Sequence, residues 1–436
     1  MVLEVIVDIS TSEIDRPFDY EGDDIPVGSR VAVGFGNKRT VGFVVGKKAE
    51  SDYPNLKRAE YLDTPVSAEQ LRLMEYMREN YNLRHIDVLR LFVPSKLRDE
   101  RDPETKKLFL ALNPELSGEA LSKAVSRAKK QAQTVEYLKS SGGEYNSVLS
   151  DKFGAAAVKA LRDKGVLTES AVHETRVPLK TLAGKKKDVV LTDEQRAAVD
   201  GICTHKGVCL LHGVTGSGKT EVYQAVIERT LAEGKTAIML VPEISLTPQM
   251  LGIFRARFGD NVAVLHSGLN ASERYDEWKR LRDGRAKIAI GARSAVFAPL
   301  ADIGAIIIDE EHDSSYISES NPRYDTKTVA EFRAAACNAV LVLGSATPDI
   351  ETYLKATQGK YRLFSLKNRI SSHKLPEMEI VDMTREFRYG NRSVFSAALA
   401  DAMRAALERK EQIMIFLNRR GFSSFIMCKE CGYVAK

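Results

Sequence analysis

LLHGVTGSGKT, residues 210–220, is the segment from which the architecture of this chain is most directly read. Residues 213–220 have the complete G-x-x-x-x-G-K-[ST] spacing of a phosphate-binding loop. Apolar residues at 208–211 predict a strand before the loop, and residues 220–232 predict a helix after it. A glycine-rich turn that matches the motif by chance is the alternative, but such a turn need not lie between a predicted strand and a predicted helix. We therefore predict an ATP and Mg²⁺ site formed by Gly213, Val214, Thr215, Gly216, Ser217, Gly218, Lys219 and Thr220, with Lys219 on the β- and γ-phosphates and Thr220 on Mg²⁺.

The overall composition is that of an ordinary globular protein. The 436 residues are 44% hydrophobic and 28% charged, and the net charge is +5. This mildly basic balance permits a nucleic-acid partner without predicting one. No apolar run reaches the length of a membrane span, and the N-terminus has the pattern of a strand, not of a signal peptide. We expect a cytoplasmic protein with no membrane partner.

Two small domains are predicted before the phosphate loop. Residues 1–98 contain short alternating runs with glycines, typical of a β-rich domain, followed by a helical pattern at 67–82. This domain either binds nucleic acid, with Phe18 or Phe35 stacking on a base, or is structural, with both rings in its core. Residues 105–176 contain basic helical segments and a short strand pair, which favours a winged helix. Their basic side chains either contact phosphates or form a solvated face, and residues 179–190 are predicted to be a linker.

From residue 191 to about 365 strands alternate with helices, which predicts a parallel α/β sheet. Each predicted strand ends in polar residues, and ligands bind at that edge of an open parallel sheet. Gln195 lies three residues after Thr192. It is either the capping partner of Thr192 at a helix start or a reader of the adenine edge.

The acidic run DEEH, residues 309–312, follows four apolar residues and lies at a predicted strand end. Nucleotide hydrolysis needs one carboxylate for Mg²⁺ and one to orient the attacking water. We assign Asp309 to the metal and Glu310 to the water. His312 is predicted to couple the nucleotide state to the hydroxyl residues at 345–347. An acidic loop at a strand end is the alternative when the run is taken alone.

The ordered segments GVTGSGKTEVY, LVPEISLTPQM, HSGLNASERYDEW, GARSAVFAPL, DEEHD and GSATPDIE resemble the motifs of superfamily 2 DNA helicases. In combination they resemble the PriA family of bacterial replication-restart helicases, and the N-terminal RPFDY, VGFG and VGFVVG are similar to that family's domain for the 3′ end of a leading strand. The resemblance implies a RecA-like P-loop ATPase lobe preceded by a β-rich domain and a winged-helix domain. A P-loop kinase or transporter ATPase would lack the later motifs.

The resemblance also implies site residues for DNA. Phe18, Asp19, Gly36 and Lys57 match positions that hold the terminal 3′ nucleotide. Residues 314–330 correspond to an aromatic-rich loop that reports DNA occupancy to the ATP site. Asp325 and Lys327 depart from its usual His and Arg. The remaining expected DNA contacts are Arg293, Tyr316 and Tyr324.

Residues 366–436 are expected to contain only the start of a second ATPase lobe and half of a zinc module. Cys428 and Cys431 form a C-x-x-C, which supplies two of the four ligands of a Zn²⁺ site, with a redox dithiol as the alternative. We therefore expect a truncated chain whose ATP hydrolysis is weak, because an arginine across the cleft is worth about 10³–10⁵ in rate.

Two functional hypotheses follow. The first is an ATP-dependent 3′–5′ DNA helicase that recognises stalled or abandoned forks and starts primosome assembly. The second is a fork-specific DNA-binding scaffold that does not unwind. Family resemblance implies forked and single-stranded DNA, primosome proteins and single-stranded-DNA-binding protein as partners, and a nucleoid-associated location.

Overall fold

The computed structural model describes residues 1–100, 106–116, 118, 121, 128–173, 190–370, 377–416, 426–427 and 434–435. The chain divides into two compact units, Met1–Ser371 and Ser372–Lys436. Within the described parts, none of the helices has the length and apolar character needed to cross a membrane.

The N-terminal domain is a five-stranded antiparallel sheet in the order β2-β1-β4-β3-β5. Its strands are β1 Val2–Val7, β2 Phe18–Glu21, β3 Arg30–Phe35, β4 Lys38–Lys48 and β5 Glu60–Asp63. Side chains that alternate along these strands, such as Leu3 and Val5, fill one hydrophobic core. The predicted β-rich domain is confirmed.

Two helices follow this sheet, α1 Ala68–Tyr81 and α2 His85–Phe92. Helix α1 begins with a capping box between Ser67 and Gln70, which satisfies backbone N–H groups that have no partner within the helix. The helix predicted at 67–82 is therefore confirmed. Both helices contribute to a core that also contains residues of the α/β lobe described below, among them Trp278 and Phe297.

A small α+β region lies between the N-terminal domain and the α/β lobe in the sequence. Its strands pair in the order β7-β6-β8, and its three described helices share a core that includes Leu110 and Leu161. The elements are β6 Lys106–Leu112, α3 Lys129–Ser141, β7 Glu144–Tyr145, α4 Asn146–Phe153, α5 Ala155–Asp163 and β8 Leu167–His173. Among the basic side chains of this region, which were predicted either to contact phosphates or to form a solvated face, Arg162 pairs with Glu169 and Lys164 donates to Gln131. The winged-helix assignment stays a prediction, and residues 179–189 of the predicted linker lie outside the described residues.

The α/β lobe is built on a seven-stranded parallel sheet in the order β11-β12-β10-β13-β14-β9-β15. Its strands are β9 Gly207–Gly213, β10 Thr236–Leu240, β11 Val262–Leu265, β12 Ile288–Gly291, β13 Ile303–Asp309, β14 Val340–Ser345 and β15 Arg362–Leu366. Its helices are α6 Asp193–Thr204, α7 Lys219–Ala232, α8 Pro248–Phe258, α9 Ala271–Arg282, α10 Thr326–Ala336 and α11 Ile350–Thr357. The predicted parallel α/β sheet is confirmed.

Both faces of this sheet are buried. Ile306 and Ile308 of β13 belong to one hydrophobic core, whereas Ala305 and Ile307 belong to another. Such a strand reads as a continuous apolar run because neither face meets water.

The second unit contains α12 Met383–Arg388, α13 Ala397–Glu408 and the paired short strands β16 Ile426–Met427 and β17 Val434–Ala435. Cys428 and Cys431, the predicted half of a Zn²⁺ site, lie outside the described residues. Among the residues that are described, no cluster of three or more His, Cys, Asp or Glu side chains has metal-binding geometry.

Candidate nucleotide and DNA sites

The predicted phosphate loop connects β9 to the first turn of α7. Gly216 has φ +79° and Gly218, the N-cap of α7, has φ +81°. Both values lie in the left-handed region, which glycine enters without the steric penalty of a side chain. The loop therefore curls so that the helix N-terminus, with its partial positive charge, faces the loop interior.

The interior of the loop has the features of an anion cradle. A Cβ at Gly213 would lie 2.6 Å from Ser217 Oγ. That hydroxyl is buried and has no hydrogen-bond partner among the residues that the structure describes, and an unsatisfied buried polar group is costly unless a ligand pairs with it. Lys219 Nζ donates to Gly213 O at 3.1 Å and lies 3.7 Å from Glu310 Oε1. These groups fit a bound phosphate chain.

Val214, Thr215 and Gly216 are the exposed residues of the loop. Gln195 is 1% exposed, and its amide oxygen accepts from Thr192 N at 2.9 Å in a capping box. Its Nε2 also donates to Ser217 O at 2.9 Å. The capping interpretation of Gln195 is confirmed, and adenine reading stays a prediction.

Asp309 and Glu310 lie at the end of β13, facing the phosphate loop. Asp309 Oδ1 accepts a hydrogen bond of 2.9 Å from the Tyr223 hydroxyl, and its carbonyl oxygen accepts one of 2.7 Å from Tyr316. Burial raises the pKa of Asp309 above its ordinary value; the Tyr223 hydrogen bond and the Lys219 charge oppose this, whereas the Glu310 charge adds to it. The carboxylates predicted for metal and water therefore lie beside the lysine predicted for phosphate.

Glu310 has φ +45°, in the left-handed region that favours glycine. A non-glycine residue held there costs on the order of 1–3 kcal/mol, and such residues cluster at functional sites. The conformation turns the chain sharply directly after β13. Glu310 thereby stays half-exposed beside Lys219, whereas the next residue, Glu311, is buried.

Glu311 has a structural role that the sequence did not indicate. Its carboxylate accepts from Asp349 N at 2.7 Å, from the Thr352 hydroxyl at 3.0 Å and from Lys327 Nζ at 3.0 Å. Lys327 also lies 3.1 Å from Asp349. A buried charge of this kind is stable only when it is paired and hydrogen-bonded. The group ties the acidic run to the segment that follows β14.

His312 lies beside the hydroxyl residues to which it was predicted to couple. One ring nitrogen, Nδ1, is 2.7 Å from Ser345 Oγ, and the same oxygen accepts from Thr347 N at 3.0 Å. Glu310 Oε2 is 3.7 Å from the same nitrogen. His312 therefore contacts both the carboxylate predicted for water and the end of β14.

A cavity of about 430 Å³ opens on the N-terminal domain, and all four residues predicted for the 3′ nucleotide line it. These residues are Phe18, Asp19, Gly36 and Lys57. Ligand pockets in proteins typically measure about 300–1,000 Å³, so the space suits a nucleotide-sized group. The lining also includes residues that sequence reasoning did not single out, namely Arg16, Lys48, Tyr53 and Asn55. Arg16, Tyr53 and Asn55 lie within a few residues of Phe18 or Lys57 in the sequence, whereas no sequence signal indicated Lys48.

Asp19 and Glu4 are the acidic residues that line this cavity, and Asp19 is the one predicted to contact the 3′ nucleotide. Its carboxylate pairs with Lys48 Nζ at 2.7 Å and accepts from Ser51 Oγ at 2.5 Å. Burial would raise the pKa of Asp19, but the hydrogen bonds from Lys48 and Ser51 and the Lys48 charge lower it below its ordinary value. Asp19 is therefore ionised and ready to accept further hydrogen bonds at neutral pH.

The aromatic and basic groups of the cavity have defined partners. The Phe18 and Phe35 rings meet edge to face at 5.0 Å, and the Arg16 guanidinium lies 5.3 Å from the Phe18 centroid. Lys57 Nζ donates to Gly36 O at 3.0 Å. Phe18 and Phe35 are half-buried and pack against the core of the N-terminal domain, and stacking of either ring on a base stays a prediction.

The structure does not leave Tyr316 and Tyr324 free to stack on bases. They are 1% and 5% exposed, and the Tyr324 ring packs edge to face against Phe297 at 5.1 Å. The expectation of stacking is corrected because both rings fill the hydrophobic core of the lobe. Arg293 donates to Ile317 O at 2.6 Å, so it supports the aromatic-rich loop, and its DNA contact stays a prediction.

The two departures in that loop have structural partners. The Asp325 carboxylate accepts from Lys327 N and Thr328 N as the N-cap of α10. The Lys327 side chain holds Glu311, as described above. Both residues therefore stabilise the loop and its link to the acidic run.

Comparisons with known proteins agree with this arrangement. Residues 192–356 match the DEAD/DEAH box helicase family, and residues 4–94 match the 3′ DNA-binding domain family. Replication restart protein PriA of Bacillus subtilis is 39% identical over 99% of this chain and 64% of its own length. Replication restart protein PriA of Haemophilus influenzae is 33% identical over 97% of this chain and 60% of its own length.

The helicase domain of Pyrococcus furiosus Hef is a solved structure with a TM-score of 0.31 and 21% identity, covering 40% of this chain and 37% of its own. The chain thus spans somewhat less than two thirds of the two PriA relatives. The relatives and the two domain matches agree on one assignment, and the chain belongs to the family of PriA replication restart proteins.

Proposed function

We propose that this chain is the ATP-hydrolysing and 3′-end-binding part of a DNA helicase that moves 3′ to 5′ and restarts replication at stalled or abandoned forks. One observation carries the proposal. A single compact unit contains a phosphate loop that faces Asp309 and Glu310, together with a cavity lined by the residues expected for a 3′ nucleotide.

The nucleotide site supports hydrolysis through this chain's own groups. Lys219 exchanges its contacts with Gly213 and Glu310 for the β- and γ-phosphate oxygens. Thr220 and Asp309 would hold Mg²⁺. Mg²⁺, when bound, neutralises charge on the phosphoryl oxygens. Glu310 then orients the attacking water and accepts a hydrogen bond from it.

The cavity supports recognition of a free 3′ end. A carboxylate accepts hydrogen bonds and donates none, so Asp19 suits the 3′-hydroxyl and would repel a phosphate at that position. Lys57 supplies positive charge for the adjacent backbone phosphate, and Phe18 offers an apolar face to the base or sugar.

The proposal also includes coupling between the two sites. His312 and Glu311 connect the acidic run with the region at and after the end of β14, and helices α1 and α2 of the N-terminal domain pack into the core of the same lobe. These contacts support a route by which the nucleotide state would influence the N-terminal domain. We extend the proposal, on family membership alone, to primosome proteins and single-stranded-DNA-binding protein as partners and to a nucleoid-associated, cytoplasmic location.

The test is steady-state ATP hydrolysis by the 436-residue chain without DNA, with a fork whose leading strand ends in a 3′-hydroxyl at the junction, and with the same fork ending in a 3′-dideoxynucleotide. We expect stimulation by DNA and tighter binding of the 3′-hydroxyl fork. Glu310→Gln, which keeps the shape of Glu310 but cannot polarise water, should bind ATP without turnover.

The outcomes separate the two hypotheses. Tight 3′-dependent fork binding with no turnover would support the alternative, a fork-specific scaffold that does not unwind. Turnover that does not respond to DNA, together with equal binding of both forks, would refute the proposal.

A further inference from the structure

Tyr223 is a fully buried tyrosine of α7 to which the nucleotide chemistry assigns no role. It follows Thr220 by three residues, which places both on one side of the helix, one turn apart. Its hydroxyl donates to Asp309 Oδ1 at 2.9 Å. The helix that begins at the phosphate loop thus reaches across the sheet edge and contacts the carboxylate that we assign to Mg²⁺.

Gly344 provides the space for this contact. It pairs in register with Asp309 on the neighbouring strand β14. A Cβ at Gly344 would lie 1.7 Å from the Tyr223 hydroxyl oxygen and 2.7 Å from its ring carbon Cζ. Its φ lies outside the left-handed region, so the backbone conformation does not require glycine there. Glycine at position 344 is therefore explained by the space that the Tyr223 hydroxyl needs.

The hydroxyl is the donor in this contact, because an ionised carboxylate can only accept. A carboxylate has about four lone-pair positions, so Asp309 can accept from Tyr223 and would still have positions left with which to help hold Mg²⁺. Groups that orient a metal-holding side chain in this way are known to change metal affinity about 10- to 100-fold.

We propose that Tyr223 is a positioning residue that holds the Asp309 carboxylate in its Mg²⁺-binding orientation before nucleotide arrives. This inference rests on the proposed ATP site. Gly344 is the second part of the device, because any side chain there displaces the hydroxyl.

The test measures Mg²⁺-dependent binding of a fluorescent, non-hydrolysed ATP analogue to the full 436-residue chain. Tyr223→Phe removes one oxygen atom and keeps the ring. We expect the Mg²⁺ concentration for half-maximal binding to rise about 10-fold or more, while the weak binding in EDTA stays unchanged. In an Asp309→Ala background, Tyr223→Phe should add no further shift.

Tyr361→Phe is the matched control. Tyr361 is also a buried tyrosine of this lobe whose hydroxyl donates to a carboxylate, Glu331 Oε1, at 2.5 Å. Tyr361→Phe should leave the Mg²⁺ dependence of analogue binding unchanged. Thermal unfolding of each variant checks that it is folded.

Gly344→Ala places a methyl group against the Tyr223 hydroxyl and should therefore raise the Mg²⁺ requirement as Tyr223→Phe does.

An unchanged Mg²⁺ dependence in folded Tyr223→Phe, or an equal shift in Tyr361→Phe, would overturn the inference. The proposed function fails separately, by a different result. If the unmodified chain does not bind the analogue with Mg²⁺, or if Lys219→Ala binds it equally well, the ATP site itself is wrong.

Discussion

The contact between Arg333 and Glu69 joins helix α1 of the N-terminal domain to the α/β lobe. Its removal should lower the unfolding free energy of both parts. The Arg333 side chain is fully buried and donates to the two oxygens of Glu69 at 2.9 and 2.8 Å. It also donates to the carbonyl oxygens of Val296 and Ala298. We expect Glu69→Ala to leave an uncompensated buried charge at the junction of α1 with the lobe.

The magnitude follows from this geometry. Removing one partner of a buried ion pair costs about 3–5 kcal/mol of unfolding free energy. Two carbonyl groups still accept from Arg333, and Glu69 is 14% exposed, which lets water approach the vacated position. We therefore expect Glu69→Ala to cost about 3 kcal/mol of unfolding free energy, the lower end of this range. That is roughly a 100-fold change in the unfolding equilibrium constant.

The chain contains a built-in probe for this junction. Trp278 is its single tryptophan, and its buried indole N–H donates to Phe92 O of α2 at 2.9 Å. Urea unfolding followed by tryptophan fluorescence therefore reports separation of α2 from the lobe, while circular dichroism reports the helices as a whole. In Glu69→Ala the urea concentration at the fluorescence midpoint should be lower than in the unmodified chain. It should also be lower than the midpoint followed by circular dichroism in the same variant.

Glu75→Ala is the matched control because it removes the same charge from the same helix. Glu75 is half-exposed and pairs with Arg78 near the surface, where an ion pair is worth about 0–1 kcal/mol. The double variant Glu69→Leu with Arg333→Met should recover much of the stability, since neither charge remains buried. Equal midpoints for Glu69→Ala and Glu75→Ala would refute the reasoning.

Three further predictions concern the two sites. Lys219→Ala should lower ATP turnover about 100-fold or more while leaving fork affinity largely intact, and loss of both in paired ATPase and DNA-binding assays would contradict separate sites. Asp19→Ala should weaken binding of a 3′-hydroxyl fork by roughly 10- to 100-fold and leave a 3′-dideoxy fork unaffected, which competition binding measures. Because the folded chain lowers the pKa of Asp19 below its ordinary 3.8, the stability it contributes is present above that pH and is lost as pH falls through the lower folded value. Urea unfolding between pH 5 and pH 3 should therefore depend less on pH in Asp19→Asn than in the unmodified chain.

The parallel sheet and its phosphate loop were readable from the sequence for a local reason. A strand buried on both faces appears as a continuous apolar run, and the loop needs glycines at Gly216 and Gly218 whatever surrounds it. Polar residues after such strands meet at one edge of the sheet, so Asp309 and Glu310 were expected near Lys219. Helix α6 was likewise announced by its capping pair, Thr192 and Gln195.

The surroundings of the loop residues depended on contacts between distant parts of the chain. A tyrosine that stacks on DNA and one that fills a core have the same local pattern, and packing placed Tyr316 in the core. Asp325 and Lys327 looked like departures from a functional pattern, but they cap α10 and hold Glu311.

The ion pair between the domains and the hydrogen bond that orients Asp309 also depend on contacts between distant parts of the chain. Glu69 and Arg333 are 264 residues apart, and Tyr223 and Asp309 are 86 apart. Hydrophobic periodicity and capping involve residues that are close in sequence, so they predict helices and strands from the sequence alone. A buried charge or hydroxyl acquires its partner only when two distant segments pack and exclude water, and that partner is therefore a property of the folded chain alone.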